Sequence, residues 1–292
     1  MLYNVRHKTR FRYAYPVSFA RCNVRLKPIE WDGQTLEDYA LSIAPFARVS
    51  DTKPIGYLGH VTRMVLDRPA RELTIESQFR IRVDRAMPVA LAGDATIAEV
   101  ALASRTTNDI GVESPANFIY PSPSIPLSRK ITEWCATDLE PGRGIVEAGL
   151  ALATRIHDEF IYDGSATAVD TTPEEAFEKR HGVCQDFAQI MIAGLRGVGL
   201  PAAYVSGYLR TIPPPGKPRL VGADATHAWV AIWCGMGRGW LGFDPTNACM
   251  VGSDHIITAL GRDYADVAPI DGVFTGQEGQ KIDVSVDVEP VG

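Results

Sequence analysis

The chain has 292 residues, 46% hydrophobic and 22% charged, the balance of a soluble globular protein of about two domains. Its net charge of -6 offers no general basic surface for nucleic acid, and no apolar run approaches the roughly 20 residues of a membrane span. The five cysteines (Cys22, Cys135, Cys184, Cys234, Cys249) are odd in number and widely spread, unlike a disulfide framework. Residues 1–7 lack an apolar signal core, so the expected compartment is the cytoplasm.

The first part of the chain reads as all-β. Residues 3–15, 22–27, 38–43, 60–66 and 72–83 are strand-like and separated by Pro, Gly and Asp clusters. Leu73, Ile75, Ser77, Phe79, Ile81 and Val83 fall on one face at a period of two, with Thr74, Glu76, Gln78, Arg80 and Arg82 on the other. Several such strands at regular spacing predict a sandwich. Residues 90–119 carry no clean period and suit a short helix with loops. Pro121, Pro123 and Pro126 then mark a linker or extended connector, which divides the chain into an N-terminal β domain (1–125) and a second domain (126–292).

Beyond that boundary the period becomes helical over residues 127–138 and 144–160. Thr172-Pro173-Glu174-Glu175 is a helix start, with a Thr cap, Pro in the first turn and Glu175 placed to close a capping box. That helix is expected to stop near Arg180, broken by Gly182. Residues 184–198 form a second helix, stopped by Gly199 and Pro201. Strand-like runs follow at 202–209, 227–233, 239–244, 255–260 and 281–288. A helix followed by an antiparallel sheet is an α+β arrangement. The loop carrying Pro213, Pro214, Pro215 and Pro218 reads as a rigid exposed connection rather than a cleft rim.

Cys184 stands at the expected first turn of the second helix. A thiol is a weak nucleophile until something makes it a thiolate, and a helix N-terminus and an imidazole both do so. His227 begins one strand run and Asp244 ends the next, with the turn Cys234-Gly235-Met236-Gly237-Arg238-Gly239 between them. If Trp233 pairs with Trp240, Trp229 opposes Asp244 and His227 lies diagonally beside it on the same face. A one-residue slip would put Asp244 on the wrong face. Cys184 would then attack an acyl carbon, His227 would carry its proton, and Asp244 would fix the imidazole. The N–H of Cys184 is a natural oxyanion donor, and the second donor is not legible. Each piece alone has a plainer reading: a packed thiol, a packed histidine, and an Asp-Pro turn at 244–245.

Four segments combine these pieces: Gly182-Val183-Cys184-Gln185-Asp186-Phe187-Ala188, Tyr204-Val205-Ser206-Gly207-Tyr208, Thr226-His227-Ala228-Trp229-Val230 and Gly242-Phe243-Asp244-Pro245-Thr246-Asn247. Together they resemble the bacterial transglutaminase-like cysteine protease family, of the transglutaminase/papain-like superfamily. The likeness runs over residues 160–275, including the stretch from Gly261 to Pro269, and more loosely elsewhere. Thr226 stands where Ser is also usual. The resemblance implies a papain/transglutaminase-like core behind an N-terminal β domain, with Cys184, His227 and Asp244 as nucleophile, base and orienting acid.

Secondary candidates for substrate contact or the oxyanion are Gln185, Trp229, Tyr162 and Tyr208, with core packing an equal reading for Trp229. Asp186 is expected to favour the helix dipole. The segment from Gly261 to Tyr264 is read as a surface loop held by Arg–Asp pairs before a cleft-shaping one. A zinc site from His181, Cys184, Cys234 and Cys249 lacks paired C-x-x-C spacing, and His7, His60, His157 and His255 have no readable partner. The expectation is a thiol-dependent acyl-transfer enzyme on peptide or protein amides, a peptidase or amidase first and a transglutaminase second. It would need no metal, cofactor, nucleic acid or membrane. A scaffold that only binds a peptide or partner is the reading from another class.

Overall fold

The computed structural model describes residues 1–291 except 55, 169, 212–224 and 277–278. The proline-rich loop lies outside the described residues. The chain opens with β1 (Leu2–Val17), β2 (Phe19–Val24), β3 (Gln34–Ala44), the short β4 (Arg48–Val49) and β5 (Lys53–Pro54), then β6 (His60–Leu66) and β7 (Ala70–Val83). Helices α1 (Ile97–Thr106), α2 (Arg129–Ala136) and α3 (Ile145–Glu159) follow, then β8 (Ile161–Tyr162), α4 (Pro173–Lys179), β9 (His181–Gly182) and α5 (Cys184–Gly197). The chain continues through β10 (Ala202–Leu209), β11 (Ala225–Trp233), β12 (Trp240–Asp244), β13 (Cys249–Met250) and β14 (His255–Gly261). It closes with α6 (Tyr264–Val267), β15 (Ile270–Thr275) and β16 (Gln280–Val291).

Two antiparallel sheets, ordered β16-β1-β7-β3 and β15-β2-β6-β4, make the predicted sandwich. They share one core, in which Val17, Leu73 and Ile75 meet Ala20, Val24, Met64 and Leu66. In β7 the predicted alternation is what packs: Leu73, Ile75, Ser77, Phe79, Ile81 and Val83 are buried while Gln78, Arg80 and Arg82 are exposed. The division at residue 125 meets a difference here. β15 pairs with β2 and β16 pairs with β1, so residues 270–291 complete the sheets of the N-terminal part. Alternation in 281–288 marks a half-buried strand but does not say which sheet takes it. The proline-marked connector is also no free linker. Ile125 is fully buried in the second core, and Ser122 and the Phe118 carbonyl accept bonds from the buried guanidinium of Arg196 at 3.2 and 3.1 Å.

A third sheet runs β13-β12-β11-β10-β14, all antiparallel. Helices α2, α3, α4 and α5 contribute to the core on one of its faces, where Ala228, Val230 and Ile232 meet Phe187, Ile190, Met191 and Leu195. The other face is covered by Ile29, Trp31, Tyr57, Leu58 and Phe118, against Val205, Trp229, Ala231 and Ile257. Each face of the sheet thus has its own cover. Helix α5 packs closely on α2 because a Cβ at Gly194 would stand 2.1 Å from Cys135 Sγ. Among the described residues no helix is long and apolar enough to cross a membrane.

Candidate active site

Cys184 is the first residue of α5, so its N–H has no partner within the helix. The turn that delivers it is built by two neighbours. Asp186 is buried, and its Oδ2 accepts the Val183 N–H at 2.8 Å and the Thr167 hydroxyl at 2.7 Å. This closes the first turn from the third helical position. A Cβ at Gly182 would stand 2.7 Å from that same oxygen, which is why a glycine precedes the thiol. Upstream, β8 and β9 pair in parallel, with the Ile161 and Asp163 N–H groups bonded to the Arg180 and Gly182 carbonyls, each at 2.8 Å. Helix α4 begins with the predicted capping box of Thr172 and Glu175.

β11 and β12 adopt the register Trp233 with Trp240 and Val230 with Phe243. Continued by one pair, that register sets Trp229 opposite Asp244, with His227 next on the same face. His227 Nε2–H donates to Asp244 Oδ2 at 2.8 Å, and both groups are buried. Cys184 lies close enough to His227 for the two side chains to interact, with Nε2 of the ring already turned to Asp244. Burial alone would lower the pKa of His227. The bonds to Asp244 and Cys184, and their charges, outweigh it and raise the value to about 10. For Asp244, burial pulls the pKa up, but donation from His227 and His255, the charge of His227 and donation from Asn247 together hold it well below the ordinary value. Each group thus favours the charged form of the other.

The Asp-Pro turn and the contact of Asp244 with His227 are one arrangement. Asp244 Oδ1 accepts the N–H groups of Thr246 (2.9 Å) and Asn247 (3.2 Å), which is the turn. Oδ2 accepts from His227, from Asn247 Nδ2 at 2.7 Å and from His255 Nε2 at 3.1 Å. Sequence reasoning missed His255 and the side chain of Asn247. Asn247 was discoverable, since a polar side chain three residues past a turn aspartate lies close to it. His255 carried no signal in the chain, because β10 lies between β14 and β11.

The secondary candidates divide. Gln185 is half-buried beside Cys184 in the first turn of α5. Tyr162 is 59% exposed, its ring 6.4 Å from Phe187, and its hydroxyl is pushed above the ordinary range by burial and by the charge of Cys184, which it neighbours. Trp229 is buried, 5.9 Å from the His227 ring and edge-on to His255 at 5.3 Å, so it packs behind the imidazoles. Tyr208 does not come to the site. It is fully buried against Val5, Phe79 and Ile256, and its hydroxyl pairs with His7 Nδ1 at 2.9 Å. Tyr204, a further neighbour of Cys184, is fully buried. After Gly261, Arg262 pairs with Asp266 as expected, but Asp263 is buried, accepts the Ser124 N–H and caps α6, so the segment is not a surface loop.

Cys234, one member of the zinc alternative, lies past the end of β11 opposite His227, with Arg238 and Asp94 as its charged neighbours. Among the described residues the set that a metal ion would use is His227, Asp244 and His255, whose ligand atoms lie within 4.8 Å of one another. Both imidazoles aim at one carboxylate oxygen at hydrogen-bond distance, so each Nε2 has a partner as it stands.

Residues 126–245 match the profile of the transglutaminase-like superfamily, and residues 3–82 match the bacterial transglutaminase-like N-terminal region. The Mycobacterium tuberculosis protein Rv2569c is 37% identical over 294 residues, 99% of this chain and 92% of that protein. The chain belongs to the transglutaminase-like superfamily. The Mycobacterium leprae protein ML0607 shares this transglutaminase-like chain over 97% of its length and 96% of its own, at 29% identity. A protein-glutamine gamma-glutamyltransferase of Pseudomonas aeruginosa is 38% identical over 93 residues, 31% of this chain and 14% of that protein. Among solved structures, a Cytophaga hutchinsonii protein named as a candidate cysteine protease superposes with a TM-score of 0.73 at 17% identity, over 100% of this chain and 92% of its own. That likeness is one of transglutaminase-like fold.

Proposed function

We propose that this protein is a thiol-dependent acyl-transfer enzyme acting on peptide or protein amides, and that its ordinary acceptor is water. One observation carries the reading: His227 is bonded to a buried carboxylate and neighbours a thiol at a helix N-terminus. Cys184 Sγ, its proton passed to His227, attacks the amide carbonyl carbon and forms a C–S bond. The Cys184 N–H faces the oxyanion. His227 gives its proton to the leaving amine as the C–N bond breaks, which leaves a thioester on Cys184. Water then attacks the thioester carbon, His227 takes a proton from it, and the C–S bond breaks to release an acid, with His227 returning its proton to the Cys184 sulfur. Asp244 keeps Nε2 protonated throughout, so that Nδ1 is the nitrogen that exchanges protons.

The test is mass spectrometry after incubation with a library of peptides and acyl amides. An acyl adduct on Cys184, absent from Cys184→Ala, is the expected result. Reaction with iodoacetamide at pH 7 should modify Cys184 before the other four thiols. Burial, with a nearby aspartate, pushes Cys22 and Cys249 up to about 11, and burial carries Cys135 and Cys234 higher still. If Cys184 reacts no faster than they do, the proposed nucleophile is wrong. Transamidation is the second reading, favoured by the gamma-glutamyltransferase relative. Adding a primary amine separates the two: an amide product in place of the free acid would identify an amine acceptor.

A further inference from the structure

His255 is a buried histidine that the proposed chemistry does not use. It begins β14, and its Nε2 lies 3.1 Å from Asp244 Oδ2, the same oxygen that His227 Nε2 approaches at 2.8 Å. An ionised carboxylate only accepts, so both imidazoles present Nε2–H to it. His255 Nδ1 is buried and has no hydrogen-bond partner among the described residues, and its ring stands edge-on to Trp229 at 5.3 Å. The contact reaches across β10 because Gly207 lies there, paired with His227 on one side and Ile257 on the other. A Cβ at Gly207 would stand 2.5 Å from the Trp229 ring.

The strand that carries His255 is held from outside its own sheet, β13-β12-β11-β10-β14. Gln34 binds both backbone groups of Ile257, donating to its carbonyl and accepting from its N–H, each at 2.8 Å. Leu58 pairs with Leu260 through bonds of 3.1 and 2.7 Å. Arg85 Nη1 donates to the His255 carbonyl at 3.3 Å, and the Tyr3 hydroxyl donates to Asp254 at 2.9 Å. All four of these residues belong to the N-terminal β region.

We infer that His255 is a positioning residue for acyl transfer, fixing Asp244 Oδ2 between two imidazoles, and that the N-terminal β region sets its place. The inference rests on the reading of Cys184, His227 and Asp244 given above. Without the His255 donor, Asp244 Oδ2 keeps the bond from Asn247 but loses the contact that fixes it from the β14 side. The carboxylate gains freedom to swing, and the imidazole that follows it is misplaced relative to Cys184.

The test compares the wild type with His255→Phe, which keeps a ring against Trp229 and removes the donor, and with His255→Gln, which restores an N–H. Three readouts are taken: the rate of Cys184 alkylation at pH 7, the thermal midpoint, and the histidine NMR signals of 15N-labelled protein. In the wild type, His255 should be the Nε2–H tautomer with a bare Nδ1. His255→Phe should slow Cys184 alkylation about tenfold and move the His227 Nε2–H proton signal, with His255→Gln recovering most of the rate. A His255→Phe protein that alkylates at the wild-type rate with an unmoved His227 signal would overturn the inference. So would an Nδ1–H tautomer in the wild type, a result that needs no variant to fold. A wild-type Cys184 that is unreactive would instead overturn the proposed function, so the two failures are distinguishable.

Discussion

At the scale of single residues, Asp244 is the most heavily committed group. Its Oδ1 ends a strand as a turn, and its Oδ2 gathers His227, His255 and Asn247. The raised pKa of His227 has a sign for stability. The imidazolium is favoured in the folded protein, so its contribution is complete below the ordinary histidine value of about 6.5 and fades as pH climbs through about 10. The stability gap between the wild type and His227→Gln, read by urea titration, should therefore shrink as pH rises from 6.5 to 10. A constant gap would place the proton elsewhere. The place of Cys184 at a helix start and the meeting of His227 with Asp244 were legible in the chain because a helix start and a hairpin register are local properties. His255 was not, since its meeting with Asp244 depends on the order of four strands and on one missing side chain at Gly207.

Elements behave as their patterns say wherever the pattern is local. The capping box at Thr172, the alternation of β7 and the pairing of Trp233 with Trp240 all follow from short-range rules. β15 was invisible because Ile270–Thr275 is mostly exposed and lacks alternation, so only its neighbour β2 identifies it. The tight element is β10. A Cβ at Gly207 would lie 2.1 Å from the Ile256 carbonyl and 2.5 Å from Trp229. Gly207→Ala should cost about 3 kcal/mol, the upper range for overpacking, read as a fall in the denaturant midpoint. A variant of unchanged midpoint would mean that β10 and β14 part more easily than their pairing implies.

For the whole molecule, the first and last strands are partners, from Leu2 with Val291 to Tyr13 with Gln280. Removing residues 270–291 would leave β1 and β2 each with one open edge. It would also strip Val286 and Val288 from the apolar junction of Tyr3, Phe79, Tyr208 and Ile256. The truncated chain should therefore lose cooperative unfolding in the sandwich and self-associate, seen as a broadened calorimetric transition and a larger species in sedimentation. A monomer with an unchanged transition would show that the sandwich stands without these strands. The same closure governs how the protein is made. A ribosome emits β1 well before β16, with the whole thiol-bearing core between them, so the half synthesised first cannot be the half finished first. Its sheets wait with unsatisfied edges until β16 emerges, a demand on holding chaperones that falls on the nascent chain.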